Sequence, residues 1–278
     1  MANNEKVWFL TGASTGFGKA LTLKLLEHHY RVVATARNPQ GVESYLTNET
    51  DVLIIPLDVT KKEQVKQAVS RAIEYFGQID VLVNNAGIGY FSSIEEADEQ
   101  ETRNLFDINF FGLASVTSEV LPLMRKANTG HILNISSVGG LVAFPGFGYY
   151  HASKFALEGY SESLYQEVMP LGIHVTLIEP GDFTTDFAGR SAKENTTTIS
   201  DYNQSAGKSI RGLRQLSEHQ PGNPELAAEA MIKITESSME PPLRLLLGSD
   251  AYKHATKKID ASKTSIETWK QLTLTTDH

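Results

Sequence analysis

Cysteine is absent from this chain of 278 residues. Disulfides, cysteine nucleophiles and cysteine-ligated zinc are therefore excluded, and the composition is compatible with a reducing cytoplasm, the location expected for the protein. Long apolar runs are missing as well: none approaches the ~18 residues that suggest a membrane span. The start Met1-Ala2-Asn3-Asn4-Glu5-Lys6 has no signal-peptide core, so neither a span nor a leader is expected. Basic residues are in deficit, 25 Lys plus Arg against 33 Asp plus Glu for a formal charge of −8. An extended basic face for nucleic acid is not expected. The eight histidines show no metal-ligand spacing, and His28, His29 and His151 read as surface or helix residues and not as ligands.

What the chain does have is regular alternation. Apolar runs of strand length recur at 6–10, 31–37, 52–55, 81–83, 131–135, 173–178 and 243–247, with helix-length segments near 17–28, 61–76, 99–126, 149–169 and 223–237. That order predicts an α/β fold: a doubly wound parallel sheet of seven strands with helices on both faces. Such a sheet binds its ligand beyond the carboxyl ends of the strands. The length suits one large domain, residues 1–278.

The first strand runs directly into Thr11-Gly12-Ala13-Ser14-Thr15-Gly16-Phe17-Gly18, and leucines at helical spacing follow at 21, 25 and 26. Glycines at 12, 16 and 18 lack the β-carbons that would hold a backbone away from a pyrophosphate, and the helix after them points its N-terminal amides at the anion. The second strand ends Ala36-Arg37 with no carboxylate at its tip. A guanidinium suits the 2′-phosphate of NADP, whereas an acidic residue there would take the ribose of NAD. NADP(H) is therefore expected over NAD(H).

Tyr150 and Lys154 lie four residues apart in Tyr150-His151-Ala152-Ser153-Lys154. On a helix that spacing puts both on one face. A phenol of pKa near ~10 is a poor acid or base at neutral pH, and a neighbouring ammonium is expected to lower it. So tuned, Tyr150 can exchange a proton with a carbonyl oxygen.

With these elements the chain resembles the short-chain dehydrogenase/reductase superfamily, in its short branch, over residues 5 to 248. Further motifs occur in the family's order: Asp58-Val59, Asn84-Asn85-Ala86-Gly87, Asn109, Ser137 thirteen residues before Tyr150, and Pro180-Gly181 followed by Thr185. The resemblance implies a Rossmann-type sheet. It gives Gly12, Ser14, Thr15, Gly16, Phe17 and Gly18 to the cofactor loop, Asp58 and Val59 to the adenine, and Asn85, Ala86 and Gly87 to the wall beside the cofactor. Pro180, Gly181 and Thr185 would hold the nicotinamide carboxamide. Asn109, Ser137, Tyr150 and Lys154 are the implied catalytic set: Ser137 binds the carbonyl oxygen, Tyr150 gives the proton, Lys154 holds the nicotinamide ribose, and Asn109 holds a water that resupplies protons. The branch resembled contains carbonyl reductases, 17β-hydroxysteroid dehydrogenases and retinol dehydrogenases. A homodimer or homotetramer through helices 99–126 and 149–169 is implied by the resemblance alone.

Tyr90, Phe91, Leu141, Val142, Phe144, Phe147, Phe183 and Phe187 fall near these motifs and favour a small hydrophobic ketone or secondary alcohol as substrate. Reduction with NADPH is the first reading. Oxidation of a hydroxysteroid or retinol is the alternative, and an NADP(H)-sensing protein without turnover is a third. Residues 183–222 are polar and too long for an ordinary connection, which predicts a substrate lid, with a disordered linker as the alternative. The tail, 249–278, has helical spacing over 251–272 and is expected to pack as a solvated terminal helix, with partner binding as its other reading.

Overall fold

The computed structural model describes residues 5–46, 50–185, 192–195, 198–216 and 220–277. Seven parallel strands form the central sheet: β1 (Val7–Thr11), β2 (Arg31–Ala36), β3 (Val52–Pro56), β4 (Val81–Asn84), β6 (Gly130–Ile135), β7 (Ile173–Pro180) and β9 (Arg244–Leu247), ordered β3-β2-β1-β4-β6-β7-β9. Two short strands, β5 (Gly89–Phe91) and β8 (Ala192–Glu194), pair separately. The strand order reverses between β1 and β4, which opens a crevice at their carboxyl ends.

Alternate residues of each strand serve opposite faces. Trp8, Leu10, Val32 and Ala34 pack with Leu21 and Leu25 of α1 (Gly16–Glu27) and Met231 of α8 (Pro224–Glu236). Val7, Phe9 and Val33 face the other way, onto α3 (Lys62–Phe76), α5 (Leu113–Ala127) and α6 (Gly148–Val168). Both faces being covered, the strands read as continuous apolar runs. Helix α3 buries Val65, Ala68, Val69 and Ala72, one stripe at helical spacing, and stops at Gly77, whose φ is +81°.

The segment expected as one helix over 99–126 is three pieces. Helix α4 (Glu99–Phe106), capped by the Asp98 carboxylate accepting from the Glu101 N–H, passes through a π-helical turn at Asp107–Gly112 into α5. Helix α2 (Gln40–Glu43) is a single turn. The polar stretch 183–222 holds β8 and α7 (Ala206–Leu216), and the tail is one long helix, α9 (Ser249–Leu274).

Candidate active site

A cavity of about 520 Å³ lies across the carboxyl ends of the strands. Its first end is the turn between β1 and α1, where Gly12 has φ +70° and a β-carbon would stand 2.9 Å from Ala86 Cα. Only glycine fits there. Thr11 Oγ1 accepts the N–H groups of Asn85 and Ala86 at 2.9 and 3.0 Å, and Asn85 Nδ2 donates to the Thr11 and Gly12 carbonyls at 2.9 Å. The Thr15 side chain makes no capping hydrogen bond, so first-turn N–H groups of α1 are left for an anion.

Gly12, Ser14, Thr15, Gly16 and Phe17 line the cavity. Gly18 is not among its lining residues: a β-carbon at 18 would stand 2.2 Å from the Gly12 oxygen, so its role is to let helix and loop close on each other. Arg37, Asp58 and Val59 line the same end, and Asp58 Oδ1 accepts from the Thr60 N–H and hydroxyl at 3.0 and 2.7 Å. Asn85, Ala86, Gly87, Pro180, Gly181 and Thr185 continue the wall. Rings of Phe17 and Phe183 meet at 5.1 Å, and Thr185 Cβ would stand 3.5 Å from a β-carbon on Gly16, so the segment after β7 comes close to the glycine turn. Glycine cradle, open helix amides and a cation at the rim fit a dinucleotide.

At the other end Ser137, Tyr150 and Lys154 share the cavity wall. Ser137 caps a short turn by accepting from the Gly139 N–H at 3.0 Å, and its hydroxyl hydrogen-bonds with Tyr150. Tyr150 and Lys154 lie on one face of α6, as their spacing predicts. The phenol, however, is not lowered. Burial pushes it up to about 12, against the pull of the Ser137 hydrogen bond, and the Asp182 charge adds to the rise. Lys154 Nζ stands 5.9 Å from the ring centre and donates to the Ile135 carbonyl at 2.8 Å. Burial also lowers the ammonium to about 8, with Glu158 opposing. Burial disfavours the charged form of each group.

Asn109 lies in the π-helical turn, buried and outside the cavity lining. Its Oδ1 accepts the Ile88 N–H at 2.8 Å, while Nδ2 donates to the Ile88 carbonyl at 3.0 Å and to Ser153 Oγ at 3.2 Å. Both amide protons are used, so only a lone pair of Oδ1 is left for the water that the resemblance assigns to it. Behind the sheet ends, Asn84 donates to Thr117 and Asn134 at 2.9 Å each, and Asn134 to Ser161 at 2.8 Å. That chain of amides ties β4, β6, α5 and α6 together.

Beneath Lys154 lies an acid pair that sequence reading missed. Glu158, one helical turn on, accepts a short hydrogen bond from Ser136, and Glu179 at the end of β7 is wholly buried. Arg244 reaches both, 3.2 Å from Glu158 and 3.3 Å from Glu179. Burial, then the Glu158 charge, pushes Glu179 up to about 8 from its ordinary 4.5. Folded Glu179 thus keeps a proton that the unfolded chain releases. Its stabilising contribution is complete below pH 4.5 and is lost as pH rises through about 8. Buried His131, lowered to about 3, acts in the opposite sense up to pH 6.5, so it is between pH 6.5 and about 8 that thermal melts are expected to fall with rising pH, and Glu179→Gln is expected to flatten that fall. An unchanged slope would mean that folded Glu179 is ionised.

The substrate end is aromatic. Phe91, Phe144, Phe147 and Phe183 line the cavity as expected. Tyr90 does not: it is buried beside Leu105 and Tyr150 with its hydroxyl accepting the Asp98 N–H at 2.7 Å. Leu141 and Val142 sit outside the lining, and Phe187 lies outside the described residues. His151 is no surface residue. It is buried, Nδ1 donates to the Gly139 carbonyl at 2.9 Å, and Nε2 accepts the Phe144 N–H at 3.0 Å, so a neutral imidazole pins the wall carrying Phe144 to α6. Burial holds its pKa below the ordinary value.

Part of the polar stretch covers this end. β8 pairs with β5 in register Gly89↔Ala192, Glu96 accepts the Thr198 and Ile199 N–H groups at 2.6 and 2.9 Å, and Leu213 and Gln220 line the cavity. Spacing of Ala206, Ile210 and Leu213 was the available signal for an amphipathic helix there.

The family profile described as short chain dehydrogenase matches residues 6–196. Oxidoreductase BOA17 of Botryotinia fuckeliana is 37% identical over 97% of this chain and 98% of its own length. A 3-ketodihydrosphingosine reductase of Bacteroides thetaiotaomicron is 40% identical over 87% of this chain and 88% of its own. Among solved structures, a short-chain dehydrogenase from Streptomyces avermitilis superposes with a TM-score of 0.91 at 37% identity, covering 98% of this chain and 99% of that one. Two more distant structures, both 26% identical, are complexes: a 3-ketoacyl-(acyl-carrier-protein) reductase from Brucella melitensis with NADH (TM-score 0.73, covering 88% of this chain and 98% of that one) and ElxO with NADP (TM-score 0.71, 89% and 99%).

Proposed function

The chain belongs to the short chain dehydrogenase family, and from that membership we propose that it is an NADP(H)-dependent reductase of a hydrophobic ketone. Oxidoreduction between CH–OH and C=O groups with a nicotinamide cofactor is the chemistry of the family and of this chain. One observation carries the finer reading: a single cavity has the glycine cradle and Arg37 at one end and Ser137 and Tyr150 beside phenylalanines at the other. The relative named 3-ketodihydrosphingosine reductase, whose named substrate is a ketone, supports the same direction.

The cradle residues Gly12 to Phe17 would hold the pyrophosphate, Arg37 the 2′-phosphate, Asp58 and Val59 the adenine, and Pro180, Gly181 and Thr185 the carboxamide. Bound there, the nicotinamide supplies hydride for the carbonyl carbon. Ser137 Oγ donates a hydrogen bond to the carbonyl oxygen as negative charge grows on it. Tyr150 Oη delivers the proton to that oxygen. A phenol raised to about 12 starts the reaction protonated, as a general acid must. The Lys154 ammonium then stabilises the phenolate left behind. Asn109 acts as a positioning residue, fixing Ile88 against Ser153 of the catalytic helix. In the oxidative direction Tyr150 accepts the proton instead.

The direct test mixes the protein with NADPH and a panel of aryl and aliphatic ketones, following the absorbance of the reduced nicotinamide. Consumption with apolar ketones is expected. Turnover confined to sugars or charged acids overturns the substrate reading.

The lid reading of 183–222 rests on β8, Leu213 and Gln220 standing over the substrate end. Amide hydrogen exchange is expected to slow over 198–216 when NADP and a substrate analogue are added together. Equal rates with and without them would make the segment ordinary surface.

A further inference from the structure

Lys154 serves the reduction only while it carries its proton, because it is the ammonium that stabilises the phenolate left on Tyr150. Burial works against that charge. Lys154 is 7% exposed, and the Ile135 carbonyl that accepts from its Nζ is a neutral dipole. Along its own helix it faces Tyr150 and, one turn on, Glu158; past Tyr150 stands Asp182 of the loop after β7. Glu158 is outside the cavity lining and touches neither end of the site.

The fold nevertheless holds Glu158 from three other elements. Ser136, just after β6, donates a short hydrogen bond to Glu158 Oε1, and Arg244 of β9 stands 3.2 Å from Oε2. The same guanidinium reaches Glu179 of β7 at 3.3 Å and the exposed Glu162 of α6 at 3.4 Å. Gly140 lies over the Ser136 bond so closely that a β-carbon there would stand 2.7 Å from Glu158 Oε1 and 2.8 Å from Ser136 Oγ. Ser136 in turn sits between Ile135, which takes the Lys154 ammonium, and Ser137, which meets Tyr150, so one carboxylate ties that strand end to α6. Glu179 keeps its proton. The negative charge of the acid pair therefore resides on Glu158, on the helix that carries Lys154.

We propose that Glu158 is a positioning residue of the reaction: held by Ser136 and Arg244, its carboxylate keeps Lys154 in the ammonium form that Tyr150 requires. This rests on the reductase reading, and it gives Glu158 no contact with substrate or cofactor.

The test is kcat/KM for ketone reduction at saturating NADPH, over a pH series spanning the Lys154 value of about 8. Glu158→Gln keeps the shape and the acceptor for Ser136 and removes the charge. Glu179, freed of that charge, ionises more readily and would replace it, so the comparison is between Glu179→Gln and the double variant Glu158→Gln/Glu179→Gln. The alkaline fall of the double variant is expected about one pH unit below that of the single one, the low end of what a neighbouring opposite charge does, which leaves kcat/KM above the fall ~10-fold lower. Coincident profiles overturn the proposal. So does a loss spread equally over all pH values, since packing alone would produce it. Ser136→Ala is a smaller change that reads the same property if the double variant does not fold: with one donor fewer the carboxylate is less stable as an anion, and the fall is expected to move in the same direction. An unmoved fall in that variant counts equally against Glu158. A wild type that consumes NADPH with no ketone overturns the reductase reading and this inference with it, whereas turnover with an unmoved fall overturns the role of Glu158 alone.

Discussion

Tyr150→Phe is expected to lower turnover by at least ~10²-fold while leaving NADPH binding intact, since general-acid catalysis contributes on the order of 10²–10⁴. The ring stays and only the proton is lost. Packing of Tyr150 against Tyr90 and Leu105 is apolar, and its ring meets Phe91 at 6.4 Å, so phenylalanine fills the same space. The change does remove the partner of the Ser137 hydroxyl. Ser137 retains the Gly139 N–H and so keeps its place. Steady-state ketone reduction alongside fluorescence titration with NADPH separates the two effects. Near-normal turnover would remove Tyr150 as the proton donor, whereas lost cofactor binding would point to a collapsed cavity.

Arg37→Ala is expected to weaken NADPH by ~10- to ~150-fold and to leave NADH nearly unchanged. A charge-assisted contact to phosphate is worth roughly 1.5–3 kcal/mol, and each ~1.4 kcal/mol is tenfold. Arg37 is exposed at the rim of the cavity, where salt screens it, so the loss is expected to shrink as ionic strength rises. Ala36→Asp goes further: it sets a carboxylate against the 2′-phosphate and offers the NADH ribose an acceptor. Kinetics with both cofactors on the wild type and the two variants decide the matter. A wild type that prefers NADH, or an Arg37→Ala variant that loses both cofactors equally, would mean that Arg37 does not read the phosphate.

Much of the site was legible because its parts are local in sequence. The turn at 11–18 needs glycine for reasons of backbone geometry, and Tyr150 and Lys154 share a face because a helix repeats every 3.6 residues. Other parts were not legible. His151 reads as one more helix position until Gly139 and Phe144 close on its two nitrogens. Tyr90 looks like a pocket aromatic, yet its hydroxyl turns inward to Asp98. Glu158, Glu179 and Arg244 come from α6, β7 and β9, elements far apart in the chain that only the sheet order makes neighbours.

By itself the sequence determined the succession of strands and helices, the parallel sheet, the glycine turn and the shared helix face of Tyr150 and Lys154. All of these rest on short-range periodicity and backbone sterics, which act between near neighbours along the chain. The tertiary structure decided what depends on burial. Desolvation, set by everything packed around a group, raises Tyr150 where the nearby ammonium alone would lower it, and keeps a proton on Glu179. The same holds for α9: its helical spacing was present in the sequence, but only the folded chain separates Ala251 and Ala255, covered by the domain, from Ile259, Ile266 and Trp269, left in solvent. Exposure is a property of the whole packing, and no local pattern encodes it.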